Sequence, residues 1–186
     1  MNSYLMDLED ALKCVGVENY YWTTTNKNGN KYIQEAENNF SSEIIGYFRS
    51  TMRMPENQNR YQNLKCHFDI LKGRHEIIRP DIVLHEDPDN QNQQIFYCEV
   101  KIDTYCNLKE DLEKLSLAVS NQLNFHNAVM IVANRTLTST IDQIKLYMQN
   151  ELPENLEKIF LFHAKPDNDS IIYNTFNFLR ICRNQI

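Results

Sequence analysis

Four short apolar runs punctuate the chain from residue 79 on: RPDIVLHE (79–86), QIFYCEVKI (94–102), AVMIVAN (128–134) and IFLFHA (159–164). Each is too short for a helix of ordinary length and is rich in β-branched and aromatic residues, so each reads as a strand. The last two are apolar throughout, as expected of strands covered on both faces. Helical stripes fall between them. Leu108, Leu112, Leu115 and Val119 recur at helical spacing over 108–121, and a further helix is predicted over Ser139–Met148. The order of elements therefore predicts an α/β fold with a central mixed sheet flanked by helices.

The rest of the chain fits around this frame. Residues 5–14 predict a short helix, and 19–31 a polar loop or extended lead-in ending in an Asn-Gly turn. A longer helix is predicted over 33–53, with Ile33, Phe40, Ile44, Tyr47, Phe48 and Thr51 on one stripe and Pro55 as its stop. Alternation over Tyr61–Leu71 (Leu64, Cys66, Phe68, Ile70) predicts a strand, with Lys72-Gly73 as a turn. DPDNQNQ (87–93) predicts the loop of a hairpin. A final segment runs from Ile171 to Cys182. At 186 residues the chain is expected to form one domain, with its core over about 33–165 and an N-terminal extension, 1–32.

Several function classes are excluded by composition. Four glycines, at 16, 29, 46 and 73, leave no GxGxxG and no Walker loop. Five cysteines without a CxxC pair argue against a disulfide framework or zinc ribbon and for a reducing, cytoplasmic setting. No apolar run reaches the length of a membrane span, and the N-terminus lacks the pattern of a signal peptide. The formal net charge of -6 discourages a nucleic-acid partner at face value. Its distribution is uneven, however. Residues 41–80 carry 7 basic and 4 acidic side chains, and residues 81–120 carry 3 and 9. A basic stretch, Arg49 to Arg79, thus leads directly into an acidic one.

Within the acidic stretch, Pro80-Asp81 opens one strand and Glu99-Val100-Lys101 closes the next. A spacing of two puts Glu99 and Lys101 on one face, with Ile95 and Tyr97, while Phe96, Cys98, Val100 and Ile102 point to the other. A short hairpin allows Asp81 and Glu99 to lie side by side. Two carboxylates in a partly buried sheet repel each other unless a cation neutralises them. A hard divalent cation with oxygen ligands, Mg²⁺ above all, suits that role, and a nearby lysine can help polarise water. Such a set suits hydrolysis of a phosphodiester.

These residues resemble the PD-(D/E)xK nuclease superfamily, whose members have the restriction-endonuclease-like fold. The resemblance covers about 33–134 and includes the order helix, three-stranded meander, helix, strand. It implies that Asp81, Glu99 and the Val100 carbonyl hold Mg²⁺, with Mn²⁺ able to substitute, and that Lys101 is the catalytic lysine. Many members add a glutamate on the preceding helix. Glu37 fits, with Phe40 and Ile44 three and seven residues on; Glu43 is its competitor at the margin of the stripe. The resemblance also matches Asp111 and Lys114 to an Asp-x-x-Lys on the next helix, and implies a contact to substrate or attacking water from Lys114 or Gln122; Arg79, from the basic stretch, is a further candidate for substrate binding. Its implied partner is DNA. Cutting both strands calls for two sites, which leaves room for a homodimer or a partner subunit.

Other constellations are weaker. Pro88-Asp89 lies in a polar turn, and Pro166-Asp167 has no ExK after it. His67, His75 and His85 lack the spacing of a metal motif. Cys98 and Cys106 read as buried thiols. Arg49, Arg53, Arg60, Lys65 and Arg79 are candidates for phosphate contacts, not all of them expected to serve. The alternative to a DNA-cutting enzyme is a nuclease fold kept as a catalytically inactive binding or assembly module.

Overall fold

The computed structural model describes residues 1–25, 28–29, 31–34, 37–68, 79–86, 93–102, 107–150, 154–168 and 170–186. Side chains of the strands within 22–34 are outside that description.

A six-stranded mixed sheet forms the middle layer, and its strands lie in chain order. Two strands precede it in sequence, β1 (Trp22–Thr25) and β2 (Lys31–Gln34), which pair with each other as a separate antiparallel hairpin. The sheet then runs β3 (Leu64–Phe68), β4 (Ile82–Glu86), β5 (Gln94–Lys101), β6 (Asn127–Ala133), β7 (Ile159–Asp167) and β8 (Ser170–Asn177). The first three are antiparallel, β5, β6 and β7 are mutually parallel, and β8 returns antiparallel. The parallel steps are made by helices α4 (Lys109–Val119) and α5 (Leu137–Asn150), since a parallel pair needs a crossover.

Helices cover both faces. On one side lie α1 (Ser3–Lys13) and α2 (Glu37–Met52), with the short α3 (Gln58–Tyr61) at their edge. Leu5, Leu8, Leu12, Phe40, Ile44 and Phe48 join Ile82, Phe96, Cys98 and Val100 in one apolar cluster. On the other side α4, α5 and the C-terminal α6 (Phe178–Cys182) pack Leu112, Leu115, Ile144 and Phe178 against Val83, Tyr97, Met130 and Leu161. The sheet is thereby sealed on both faces, which accounts for the uninterrupted apolar run of β6. Among the described residues, no helix is long and apolar enough to cross a membrane.

The α/β class and the mixed, helix-flanked sheet agree with the sequence reading; four details differ. The long helix begins at Glu37 rather than 33, because Ile33 is paired with Thr23 in the hairpin. Cross-strand pairing of β-prone residues there outweighs the helical phase of a single isoleucine. Tyr61 ends α3 instead of opening a strand. The N-terminal residues are no appendage: α1 packs on α2, and its Leu5 and Leu8 are fully buried in the same cluster as the sheet. At the other end the core extends past 165, through β8 to Phe178 and Ile181.

The fourth difference concerns Ile95. It joins Phe96 in the α1/α2 cluster rather than Tyr97 on the opposite face. The register between β4 and β5 shifts there, with Leu84 opposite Phe96 but His85 opposite Gln94. The extra residue is a bulge, and it breaks the two-residue period at that point. The turn at 72–73, the 87–92 loop with Pro88-Asp89, His75 and Cys106 all lie outside the described residues.

Candidate active site

The C-terminal end of β5 and the entry to β4 meet on the face covered by α4. Asp81 immediately precedes β4, whose first residue, Ile82, is opposite Cys98. The end of β5 therefore extends beyond the ladder, and the Asp81 carboxylate takes the place of a strand neighbour: it accepts the Val100 amide proton at 2.7 Å. A strand residue directs its N–H and C=O to the same neighbour, so the Val100 carbonyl faces that edge too.

Glu99 points the other way from Val100, towards α4, and is only 1% exposed. Its carboxylate accepts a hydrogen bond from the Tyr97 hydroxyl, two residues back on the same face. The Lys114 ammonium lies 3.3 Å from its second oxygen. Lys114 also reaches Asp111, one helical turn back, at 3.0 Å. Asp111 in turn lies 3.6 Å from the ammonium of Lys101. Lys101 lies 3.5 Å from Glu37, the first residue of α2, although α2 packs on the opposite face of the sheet. The result is one connected set: Glu37, Lys101, Asp111, Lys114, Glu99 and Tyr97, with Asp81 beside it.

Burial sets the electrostatics. It pushes the Glu99 carboxyl up to about 8; the neighbouring Asp81 carboxylate adds to this, and the Tyr97 hydroxyl and Lys114 work against it. Burial likewise raises Asp81, against the Val100 N–H and Lys101, and raises Glu37, against Lys101. Desolvation disfavours the Lys101 ammonium, yet the carboxylates of Asp111, Glu37, Asp81 and Glu99 outweigh it and hold its pKa above the ordinary lysine value. Lys114 is raised in the same way, by Asp111 and Glu99 against its own burial. Both lysines stay charged, while the buried carboxylates are stressed for want of positive charge.

Most of the residues read from the sequence come together here: Glu37, Asp81, Glu99, Val100, Lys101 and Lys114. Glu37 rather than Glu43 reaches the set; Glu43 is exposed on α2. Arg79 is exposed, two residues before Asp81. Gln122 lies apart from this set. It is exposed beyond the C-terminal end of α4, and its backbone N–H is held by the Ser120 hydroxyl. Among the described residues no hydrogen bond or ion pair joins it to the carboxylates. Tyr97 is the residue whose role the sequence reading missed. Its signal was its place two residues before Glu99, on the same face.

The oxygen-only donor set of Asp81, Glu99 and the Val100 carbonyl is the chemistry a hard divalent cation prefers. Four carboxylates, Glu37, Asp81, Glu99 and Asp111, face two ammonium groups, Lys101 and Lys114. With all six ionised the set carries two surplus negative charges, which is the charge of one such ion. Among the described residues no group of three or more His, Cys, Asp or Glu side chains stands ready-made at metal-holding distance.

Elsewhere, Cys98 is fully buried, and burial raises its thiol well above the ordinary value. His67 and His85, on paired strands, stack with ring centroids 5.0 Å apart. Arg60 is engaged internally, in an ion pair with Asp7 and over the ring of Tyr61 at 5.0 Å. Comparison with protein-family models, with curated proteins and with solved structures found no match to the chain.

Proposed function

We propose that the protein is a metal-dependent nuclease that hydrolyses DNA phosphodiester bonds at the PD-ExK site, with the restriction-endonuclease-like fold as its framework. The observation that carries this reading is the meeting of four carboxylates, Glu37, Asp81, Glu99 and Asp111, with two ammonium groups at the junction of β4 and β5, where burial pushes the Glu99 carboxyl up. Ionising all four there is costly unless a cation offsets the excess.

Asp81 and Glu99, with the Val100 carbonyl, would hold Mg²⁺ or Mn²⁺. When bound, the ion supplies Lewis-acid activation of phosphoryl oxygen and water. The protein's own groups do the rest. Lys101 places an ammonium where negative charge grows on the phosphorane and on attacking water. Glu37, at 3.5 Å, and Asp111, at 3.6 Å, hold that ammonium in position. Lys114 and Tyr97 orient Glu99 and favour its ionised form. Arg79, exposed two residues before Asp81, would be the candidate for a phosphate contact.

The test is cleavage of plasmid and single-stranded DNA with Mg²⁺ or Mn²⁺, run beside Asp81→Ala and Lys101→Ala. Metal-dependent cleavage lost in both variants supports the enzyme. Absence of cleavage under every condition, or equal cleavage by the variants, would leave the second reading, a binding module on a nuclease fold. The ion pairs already made by Lys114 with Glu99 and Asp111 are what favour that second reading.

A further inference from the structure

The two edges of the six-stranded sheet are built differently. β3, at one end, is five residues long and carries the exposed Lys65. A short strand and an edge lysine both discourage the addition of a further strand. β8, at the other end, is eight residues long, and its sequence SIIYNTFN holds no charge, no glycine and no proline. Its pairing with β7 runs from Ser170 to Asn177 without a register shift, so no bulge turns the edge aside. Ile172, within this strand, is 48% exposed.

The phase of the ladder shows which backbone groups are left over. The Ala164 carbonyl accepts the Asn134 amide proton at 3.2 Å, on the β6 side of β7. Ala164 is opposite Tyr173, and a strand residue sends its N–H and C=O to one side, so this pair exchanges no bonds. Pro166, opposite Ile171, has no N–H to exchange. Both observations give the same phase. Ser170, Ile172, Asn174 and Phe176 bond to β7, while Ile171, Tyr173 and Thr175 turn their N–H and C=O groups outward. Among the described residues, no backbone hydrogen bond from another element meets those groups. The faces beside the edge are held by side chains. Tyr173 and Thr175 reach α1, and Phe176 packs in the cluster that contains α6. Past α6 the chain is drawn to α5, where Asn184 accepts from Lys145 at 2.6 Å.

We propose that β8 is a docking edge for β8 of a second copy of this chain, joining the two sheets into one across a two-fold axis at Ile172. Antiparallel pairing of identical strands is isologous, so it closes as a dimer. A strand without charge meets its own copy with no like charges facing. Only outward-turned residues can exchange bonds, which limits the registers. Centring on Ile172 sets Ile171 opposite Tyr173 of the second copy and Tyr173 opposite its Ile171, each pair exchanging both bonds. Ile172 then faces its counterpart as the close, non-bonded pair, and an exposed isoleucine gains apolar cover. Centring on Tyr173 would set Ile172 against Asn174. The two-fold reverses strand direction, so the carboxyl ends of the two β5 strands fall at opposite ends of the joined sheet. The pairing is therefore an assembly contact, independent of the nuclease reading.

Sedimentation of the full chain over a concentration series tests it. The wild type is expected to pass from monomer to dimer and to stop there. Ile172→Lys, at an exposed position, sets like charges across the axis and is expected to raise the dimer dissociation constant about tenfold or more. Ile172→Thr keeps an uncharged β-former and is expected to fall between the two. Ile172→Cys reads the register, because the Cα atoms of a close pair, about 4.5 Å apart, lie within disulfide range. With glutathione disulfide as oxidant it is expected to form a covalent dimer faster than the wild type, whose exposed Cys14 sets the background. If Ile172→Lys unfolds early, the cross-link carries the same test. A monomer at every concentration overturns the proposal. So does a dimer that a folded Ile172→Lys leaves intact, because another surface would then be holding it. Growth beyond a dimer overturns it as well, since it would show open-ended pairing of different edges. Cross-linking no faster than wild type overturns the register at Ile172.

Discussion

The Asp81 carboxylate stands in for a missing strand, accepting the Val100 amide proton at 2.7 Å where β4 has not yet begun. A structural bond and a proposed ligand therefore share one side chain, and two substitutions separate them. Asp81→Ala leaves the buried Val100 N–H without its acceptor and is expected to cost about 1–3 kcal/mol in urea unfolding. Asp81→Asn keeps a carbonyl oxygen for that bond and is expected to unfold close to wild type. Both are expected to lose metal-dependent cleavage. Equal stability of the two variants would show that Asp81 does not tether β5.

Stability should fall as pH rises through neutrality in the metal-free protein. Glu99 has its folded pKa raised from 4.5 to about 8, so between those values the folded chain holds a proton that the unfolded chain has released. The folded state binds more protons there, and unfolding free energy declines with pH until about 8, then levels. Glu99→Gln removes this slope. It is expected to melt roughly 5 °C higher than wild type at pH 8.5, with the two converging near pH 4.5. Added Mn²⁺ should narrow the gap at high pH, since a cation stabilises the ionised carboxylate. Parallel melting profiles across that range would contradict the assignment.

The two lysines are expected to fail differently. Lys114→Met strands the buried Glu99 and half-strands Asp111, at a cost of about 3 kcal/mol near pH 8. Lys101→Met leaves Asp111 with Lys114 and frees only the more exposed Glu37, and should cost about 1 kcal/mol. Catalysis reverses the order of importance. Lys101→Met is expected to lower kcat about 10²–10³-fold, while Lys101→Arg recovers part of it. Chemical denaturation and single-turnover cleavage measure the two effects on the same samples.

Arg60 offers a control away from the chemistry. It joins α1 to α3 through Asp7, which also accepts from the Tyr61 hydroxyl at 2.5 Å. Arg60→Ala is expected to cost about 2 kcal/mol and lower Tm by roughly 5 °C. Cleavage per folded molecule and the salt slope of DNA binding should not move. A reduced slope would instead place Arg60 among the phosphate contacts.

What could be read from the chain beforehand follows the range over which each rule operates. Glu99 and Lys101 were legible because a two-residue period is a property of the backbone itself. Asp111 and Lys114 were singled out by the resemblance alone, and their one-turn spacing is what lets them meet. Ile95 was not: the bulge opposite His85 depends on how two strands match, and one strand alone does not encode it. The start of α2 was misplaced for the same reason, since Ile33 belongs to a hairpin whose pairing lies across a turn. The place of Gln122 outside α4 was not legible either, because the helix ends at Val119. Tyr97 was placed on the right face, but the reach of its hydroxyl to Glu99 needed coordinates.

The sheet in chain order carries a last consequence, for how the molecule comes into being. Asp81, Glu99, Lys101, Asp111 and Lys114 fall within one short stretch of adjoining elements, so the inner part of the charge set can form as soon as β4, β5 and α4 have met. The two ends of the chain meet much later. The β8 residue Thr175 donates to Glu9 of α1 at 3.0 Å, and Tyr173 to the Lys13 carbonyl at 3.4 Å, across more than 150 residues. A nascent chain still lacking β8 can therefore carry the inner part of that charge set before it has its final clasp, and only with β8 in place is the first helix locked onto the last strand.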